Sequence, residues 1–99
     1  MTINQTPKNG HIVLSLEGRL NTTTAPQLQQ ALAEAFKTAS SVELDFMELV
    51  YLSSAGLRVL LMGEKMAKSS GKTMALKNVL PDVMEVLQMT GFADILTIL

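Results

Sequence analysis

The sequence predicts an α/β fold: a mixed, mostly parallel β-sheet of four to five strands with three main helices packed against it. Two observations carry that expectation. Read along the chain, the elements fall in the order β-β-α-β-α-β-α-β, and helical segments separate the later strands, as parallel neighbours require. The length of 99 residues adds a third constraint, because it accommodates one hydrophobic core and so one domain over residues 1–99. The strand order does not follow from the sequence.

Thr2 to Thr6 reads as a short edge strand, and Pro7 to Gly10 as a turn into the β-branched apolar run His11-Ile12-Val13-Leu14-Ser15-Leu16. A hairpin therefore opens the fold. Beyond Gly18, the polar stretch Asn21-Thr22-Thr23-Thr24 leads into Thr24-Ala25-Pro26-Gln27, a threonine followed three residues later by glutamine, which is a capping-box pattern with proline in the first turn. The helix it announces carries Ala25, Leu28, Leu32, Ala35 and Phe36 at helical spacing, with Gln29, Gln30, Glu34 and Lys37 opposite. Val42-Glu43-Leu44-Asp45-Phe46 alternates apolar and acidic, as a strand with one covered face does, and Met47 to Leu52 reads as an apolar connector. Ser53-Ser54-Ala55-Gly56 precedes a helical run from Leu57 to Lys68 that Ser69-Ser70-Gly71 stops. Thr73 to Lys77 fits a short strand. Pro81 and Asp82 open a third helix bearing Leu80, Val83, Met84 and Leu87, Gly91 stands where a left-handed cap belongs, and Ile95 to Leu99 closes the sheet.

Composition narrows the function classes. Apolar residues make up 47% of the chain but only 4% are aromatic, so aliphatic side chains and seven Met fill the core. Eight basic and nine acidic side chains leave a net charge of -1, without the basic footprint of a nucleic-acid binder. The absence of cysteine removes disulfides, thiol nucleophiles and cysteine-ligated zinc together. No charged-then-apolar leader is seen and no apolar run approaches ~20 residues, so membrane insertion is not expected and the cytoplasm is the expected compartment.

Catalytic templates fail one at a time. Gly71-Lys72-Thr73 resembles the end of a phosphate-binding loop, but Met66 stands where that motif needs glycine, and the order here is helix into strand. Ser69-Ser70-Gly71-Lys72 matches S-x-x-K without the partner motifs of that chemistry. His11 is the only histidine and lies in a strand, so neither a multi-histidine metal site nor a Ser-His-Asp constellation can be built. Glu43 and Asp45 share one strand face, where paired acids are possible but solvated carboxylates are the commoner case. No catalytic residue, metal or cofactor is expected.

The serine pair differs in its placement. A serine at a helix start most commonly serves as an N-cap, stabilising by roughly 1 kcal/mol. The same place favours an anion, because unpaired N–H groups and the positive end of the helix dipole meet there, so a phosphate on Ser54 would be tolerated without unfolding. Ala55 and Gly56 keep the approach small. On the helix that follows, Gly56, Val59, Leu60, Gly63, Met66 and Ala67 gather on one side and Arg58, Lys65 and Ser69 on the other, with Leu61 and Met62 flanking the polar side. Those two residues beside Arg58 and Ser54 suit either neighbouring elements or a partner surface.

Val42-Glu43-Leu44-Asp45-Phe46 followed by Val50-Tyr51-Leu52-Ser53-Ser54-Ala55-Gly56-Leu57-Arg58-Val59-Leu60-Leu61 closely resembles the signature of STAS domains of the anti-sigma factor antagonist family. Gly18-Arg19-Leu20-Asn21 and Val83 to Phe92 resemble that family's start and end, so the resemblance covers nearly the whole chain. It implies a non-enzymatic, phosphorylation-regulated binding module in a partner-switching pathway of bacterial transcription control. Ser54 maps to the serine phosphorylated by a partner serine kinase that is also an anti-sigma factor; the unmodified form binds that kinase, and a PP2C-type phosphatase restores it. The implied partner surface comprises Asn21, Ser53, Ser54, Ala55, Gly56, Arg58, Leu61 and Met62. Two positions depart from the pattern: Ser53 and Asn21 stand where aspartate is often found, which reduces the negative charge around the site and makes Ser53 a competing acceptor. Similar domains also serve in other signalling assemblies, in anion transporters and in lipid-transport complexes, where a constitutive subunit would use Ser54 only as a helix cap. An enzyme using Asp45 is the remaining, distant alternative.

Overall fold

An Asn-Gly pair sets the first turn. The computed structural model describes residues 1–99. In it β1 (Thr2–Lys8) and β2 (His11–Leu20) pair antiparallel with Lys8 opposite His11, leaving only Asn9 and Gly10 as the loop. Both have positive φ, 47° and 81°, the conformation that a two-residue hairpin requires and that Asn-Gly adopts readily. The turn is thus tighter than the Pro7 to Gly10 segment the sequence suggested. Pro7 belongs to β1, which it joins without loss because β1 is the sheet edge.

The remaining elements are α1 (Ala25–Thr38), β3 (Ser41–Leu52), α2 (Ser54–Ser69), β4 (Thr73–Lys77), α3 (Pro81–Met89), a 3₁₀ turn at Phe92–Asp94 and β5 (Thr97–Ile98). The five-stranded sheet has the order β1-β2-β3-β4-β5. Every pair after the first is parallel. Ile12, Leu14 and Leu16 on β2, Val42, Leu44 and Phe46 on β3, and Met74 and Leu76 on β4 are buried, while the residues between them are not. That alternation leaves one sheet face without helices. The covered face joins Leu28, Leu32, Ala35 and Phe36 of α1, Leu57, Val59, Leu60 and Ala67 of α2, and Val83 and Leu87 of α3 in one core cluster. The single buried charged residue is Glu64 of α2, whose Oε1 has no hydrogen-bond partner.

On the open face, Lys77 Nζ bonds Glu43 Oε1 at 2.7 Å, and His11 Nδ1 shares a 2.9 Å hydrogen bond with Ser41 Oγ. Asn78 Nδ2 donates to Asp45 Oδ1 at 3.1 Å. Glu43 and Asp45 are therefore engaged in cross-strand contacts of a half-buried surface. Gly71 and Lys72 lie in the turn between α2 and β4, which Thr73 begins, and the Lys72 ammonium donates to the Phe36 carbonyl in the last turn of α1. It staples two helices, a structural role for a lysine at a helix C-terminus.

Two expectations are corrected. Met47 to Leu52 is no connector; it continues β3. Between Ser15 and Glu17 β2 advances two residues while β3 advances three, from Asp45 to Glu48, and between Gly18 and Arg19 β3 again gains one, from Leu49 to Tyr51. These bulges change the buried period from two to three, so Phe46, Leu49 and Leu52 face inward and the alternation that marks a strand disappears. The second correction is at α1. Thr24 precedes the helix but makes no side-chain cap bond. Its hydroxyl instead donates to the Arg19 carbonyl at 2.8 Å, and Asn21 Oδ1 accepts from the Thr23 and Thr24 N–H groups at 3.0 and 3.1 Å. An Asx turn replaces the capping box.

Candidate functional site

The C-terminal ends of β2 and β3 lie side by side, with Leu20 opposite Leu52, and the Ser53 N–H extends the pairing by donating to the Leu20 carbonyl at 2.9 Å. This single bond sets the Asn21 turn next to the start of α2. The Asn21 carboxamide is committed within that turn, so it fixes the loop's shape as well as bordering the serines.

The two serines have divided roles. Ser53 is the N-cap of α2, with extended backbone (φ -99°, ψ 175°), and its Oγ accepts from the Gly56 N–H at 3.4 Å. Ser54 is the first residue of α2, is exposed, and its hydroxyl takes part in no hydrogen bond. The helix runs from Ser54 rather than Leu57 because the cap lies that far upstream. Its first turn holds no acidic residue.

Gly56 does not belong to an outward surface. It is buried, and a Cβ there would stand 2.7 Å from Leu20 Cγ and 2.7 Å from Leu52 Cδ1. Glycine is needed so that the helix start can rest on the two strand ends. Ala55 is half-buried against the core. At ~100° per residue, Ser54, Arg58, Leu61 and Lys65 form one outward stripe of α2. Arg58 and Lys65 are exposed without an ion-pair partner, Leu61 is half-buried, and Met62 is 40% exposed at the flank of the stripe. The surface is thus an unengaged hydroxyl at a helix N-terminus, cationic side chains and two apolar side chains.

Arg19 and Tyr51 were not singled out in the sequence. They are paired across β2 and β3, and the Arg19 guanidinium lies 4.0 Å from the centroid of the Tyr51 ring, two residues before Asn21 and Ser53 respectively. The signal was hidden because it depends on the bulged register. No helix is long and apolar enough to cross a membrane.

Comparison with known proteins agrees with this arrangement. A family model described as "Mlab, STAS domain" matches residues 3–98. A protein of Bordetella bronchiseptica named as an anti-sigma factor antagonist, BtrV, is 36% identical over 88 residues, covering 88% of this chain and 76% of its own. A crystal structure of a Thermotoga maritima protein described as an anti-sigma factor antagonist superposes with a TM-score of 0.89 at 21% identity, covering 97% of this chain and 84% of that one. The unphosphorylated form of the Bacillus antagonist SpoIIAA gives a TM-score of 0.84 at 19% identity over 99% of this chain and 88% of its own. Its phosphorylated form gives 0.76 at 17% identity over 99% and 91%. With a family model over almost its full length and a relative of this similarity, the chain belongs to the STAS domain family.

Proposed function

We propose that this protein is an anti-sigma factor antagonist, a binding module switched by phosphorylation of Ser54 in a partner-switching pathway. The observation that carries the reading is the free hydroxyl of Ser54 beside a cap already supplied by Ser53. Modification of Ser54 therefore removes no hydrogen bond from the fold. A phosphate adds about 1.5 to 2 negative charges, which the helix N-terminus and Arg58 one turn on stabilise within the domain. A partner packed over Ser54, Arg58, Leu61 and Met62 meets added bulk and an anion that it must desolvate, and such a mismatch commonly costs several kcal/mol. The partner is a serine kinase that is also an anti-sigma factor, and a PP2C-type phosphatase restores the binding form. The site binds and is modified; it performs no catalysis.

The alternative, a constitutive STAS subunit of an assembly such as a lipid-transport complex, treats Ser54 as a helix cap only. The cap on Ser53 weakens that premise.

Affinity capture with the unmodified and the Ser54-phosphorylated chain tests the proposal. The unmodified chain should retain a kinase that the phosphorylated chain loses by orders of magnitude, Ser54→Asp should lose part of the binding, and Ser54→Ala should bind but escape control. Phosphate mapped by mass spectrometry to Ser53, or equal capture by both forms, overturns it.

A further inference from the structure

β3 outruns its neighbour. Its pairing with β4 ends at Asp45, so the edge from Phe46 to Leu52 on that side has no strand against it. The Met47 N–H is taken by Asp45 Oδ1 at 3.0 Å, and no other backbone group of this stretch bonds to α3 or to the loop before it. Met47 and Val50, which fall in the two bulges, are 54% and 61% exposed. Beside them lies a groove of about 320 Å³ lined by Leu49, Val50, Leu80, Pro81, Asp82 and Val83. It continues past Tyr51 and Val86 into a second hollow of about 210 Å³.

An unpaired strand edge invites another strand, and an apolar hollow next to it receives alternate side chains of such a strand. Charge decides what kind. The segments Phe46–Leu52 and Leu80–Thr90 that form the groove contain Glu48, Asp82 and Glu85 and no Lys or Arg. All three acids are exposed and unpaired. The nearest cations are engaged elsewhere: Lys77, at the end of β4 opposite Asp45, is held by Glu43, and Arg19 lies on β2 at the opposite edge of β3, over the Tyr51 ring. A second copy of the chain is a poor complement, since its own free edge β1 offers Pro7 and a single lysine, Lys8.

We propose that this edge and groove receive an extended segment of a partner protein that alternates apolar and basic residues. The segment adds a strand beside residues 46–52, sets an apolar side chain against Leu49, Val50 and Leu80, and places its cations against Glu48, Asp82 and Glu85. This surface adjoins the start of α2 but is separate from the Ser54 stripe, so it engages a partner independently of the switch.

The test uses the isotope-labelled full chain and a synthetic acetyl-Lys-Val-Lys-Leu-Lys-Val-amide peptide, with the same peptide carrying Glu for Lys as the counterpart. The basic peptide should shift the amide resonances of residues 46–52, 80 and 82–86, and added salt should weaken it. Glu48→Lys and Asp82→Lys, each checked by circular dichroism for an unchanged fold, should each reduce affinity about tenfold. Equal binding of the acidic peptide, shifts mapping to the α2 stripe, helical carbon shifts in the bound peptide, or unchanged affinity in both variants overturns the proposal. So do concentration-dependent shifts of residues 46–52 in the chain alone, which would make a second copy the occupant. The Ser54 reading stands or falls separately, because its assay reads phosphate-dependent capture.

Discussion

Exchanging the two hydroxyls one at a time tests whether the helix cap and the proposed phosphorylation site are different residues. Ser53→Ala removes the bond that the Gly56 N–H donates to Ser53 Oγ. At 3.4 Å that bond is longer than the usual 2.7–3.2 Å, so its loss belongs in the lower half of the cap range, about 0.5–1 kcal/mol. For a domain of this size, that lowers the melting temperature by about 2–8 °C. Ser54→Ala removes an exposed hydroxyl that bonds nothing and introduces a better helix former, so its stability should change by less than about 0.5 kcal/mol. Thermal unfolding followed by circular dichroism and calorimetry reads both. In a kinase assay the order should reverse: Ser53→Ala should still accept phosphate and Ser54→Ala should not. A Ser54→Ala protein that melts as low as Ser53→Ala would show that Ser54 holds the helix start, and the division of roles would be wrong.

Other substitutions examine neighbouring parts of the site. Gly56→Ala places a Cβ 2.7 Å from Leu20 Cγ and Leu52 Cδ1, where ordinary contacts lie at about 3.5–4.0 Å; overpacking of about 1–3 kcal/mol exceeds a helix gain of about 1 kcal/mol. Denaturant titration should show a net loss, and unchanged stability would mean that the two leucines yield freely. Met62→Lys should weaken partner capture while leaving the melting temperature nearly unchanged, whereas a large fall in stability would place Met62 in the core. On the open sheet face, the Glu43 carboxylate accepts a hydrogen bond from Lys77 and raises the lysine above its ordinary value against the opposing effect of desolvation, with further help from the charges of Glu43 and Asp45. A raised lysine contributes stability at every pH below its unfolded value and loses it as pH climbs through the folded one. An NMR titration of Lys77 should therefore fall back toward the ordinary value in Glu43→Gln, and an unaltered titration would contradict the assignment.

How much was legible in the chain depended on whether a signal was local. The strand at Val42 to Phe46, the helix starts at Pro81 and near the serine pair, and the left-handed Gly91 (φ 80°) each depend on a few adjacent residues, and each was readable. β3 beyond Phe46 was not, because its inward residues come every third position and only the register against β2 explains that spacing. The threonine-glutamine signal was misleading since Asn21 and the Arg19 carbonyl compete for the same donors and acceptors. At the site, the serine pair was visible in its segment and the choice of Ser54 rested on the family resemblance, while the inward direction of Gly56 and the Arg19–Tyr51 stack awaited the pairing of Leu20 with Leu52. Either serine of the pair fits the cap from sequence alone.

The parallel register has a kinetic consequence. His11 pairs with Ser41, and Ser41 with Thr73, so each central strand contact closes a loop that includes a whole helix, while the β1-β2 hairpin is the only strand pair joined without an intervening helix. Loop closure must precede the gain from such distant pairings, and chains dominated by them fold slowly for their size. The hairpin forms on a scale of about 1–10 μs and then waits for α1 to carry β3 alongside β2. If the β2-α1-β3 unit forms first, substitutions in it should slow refolding and those in α3 and β5 should chiefly speed unfolding. On that order the lifetime of the folded state is governed at the C-terminal end of the chain, away from Ser54.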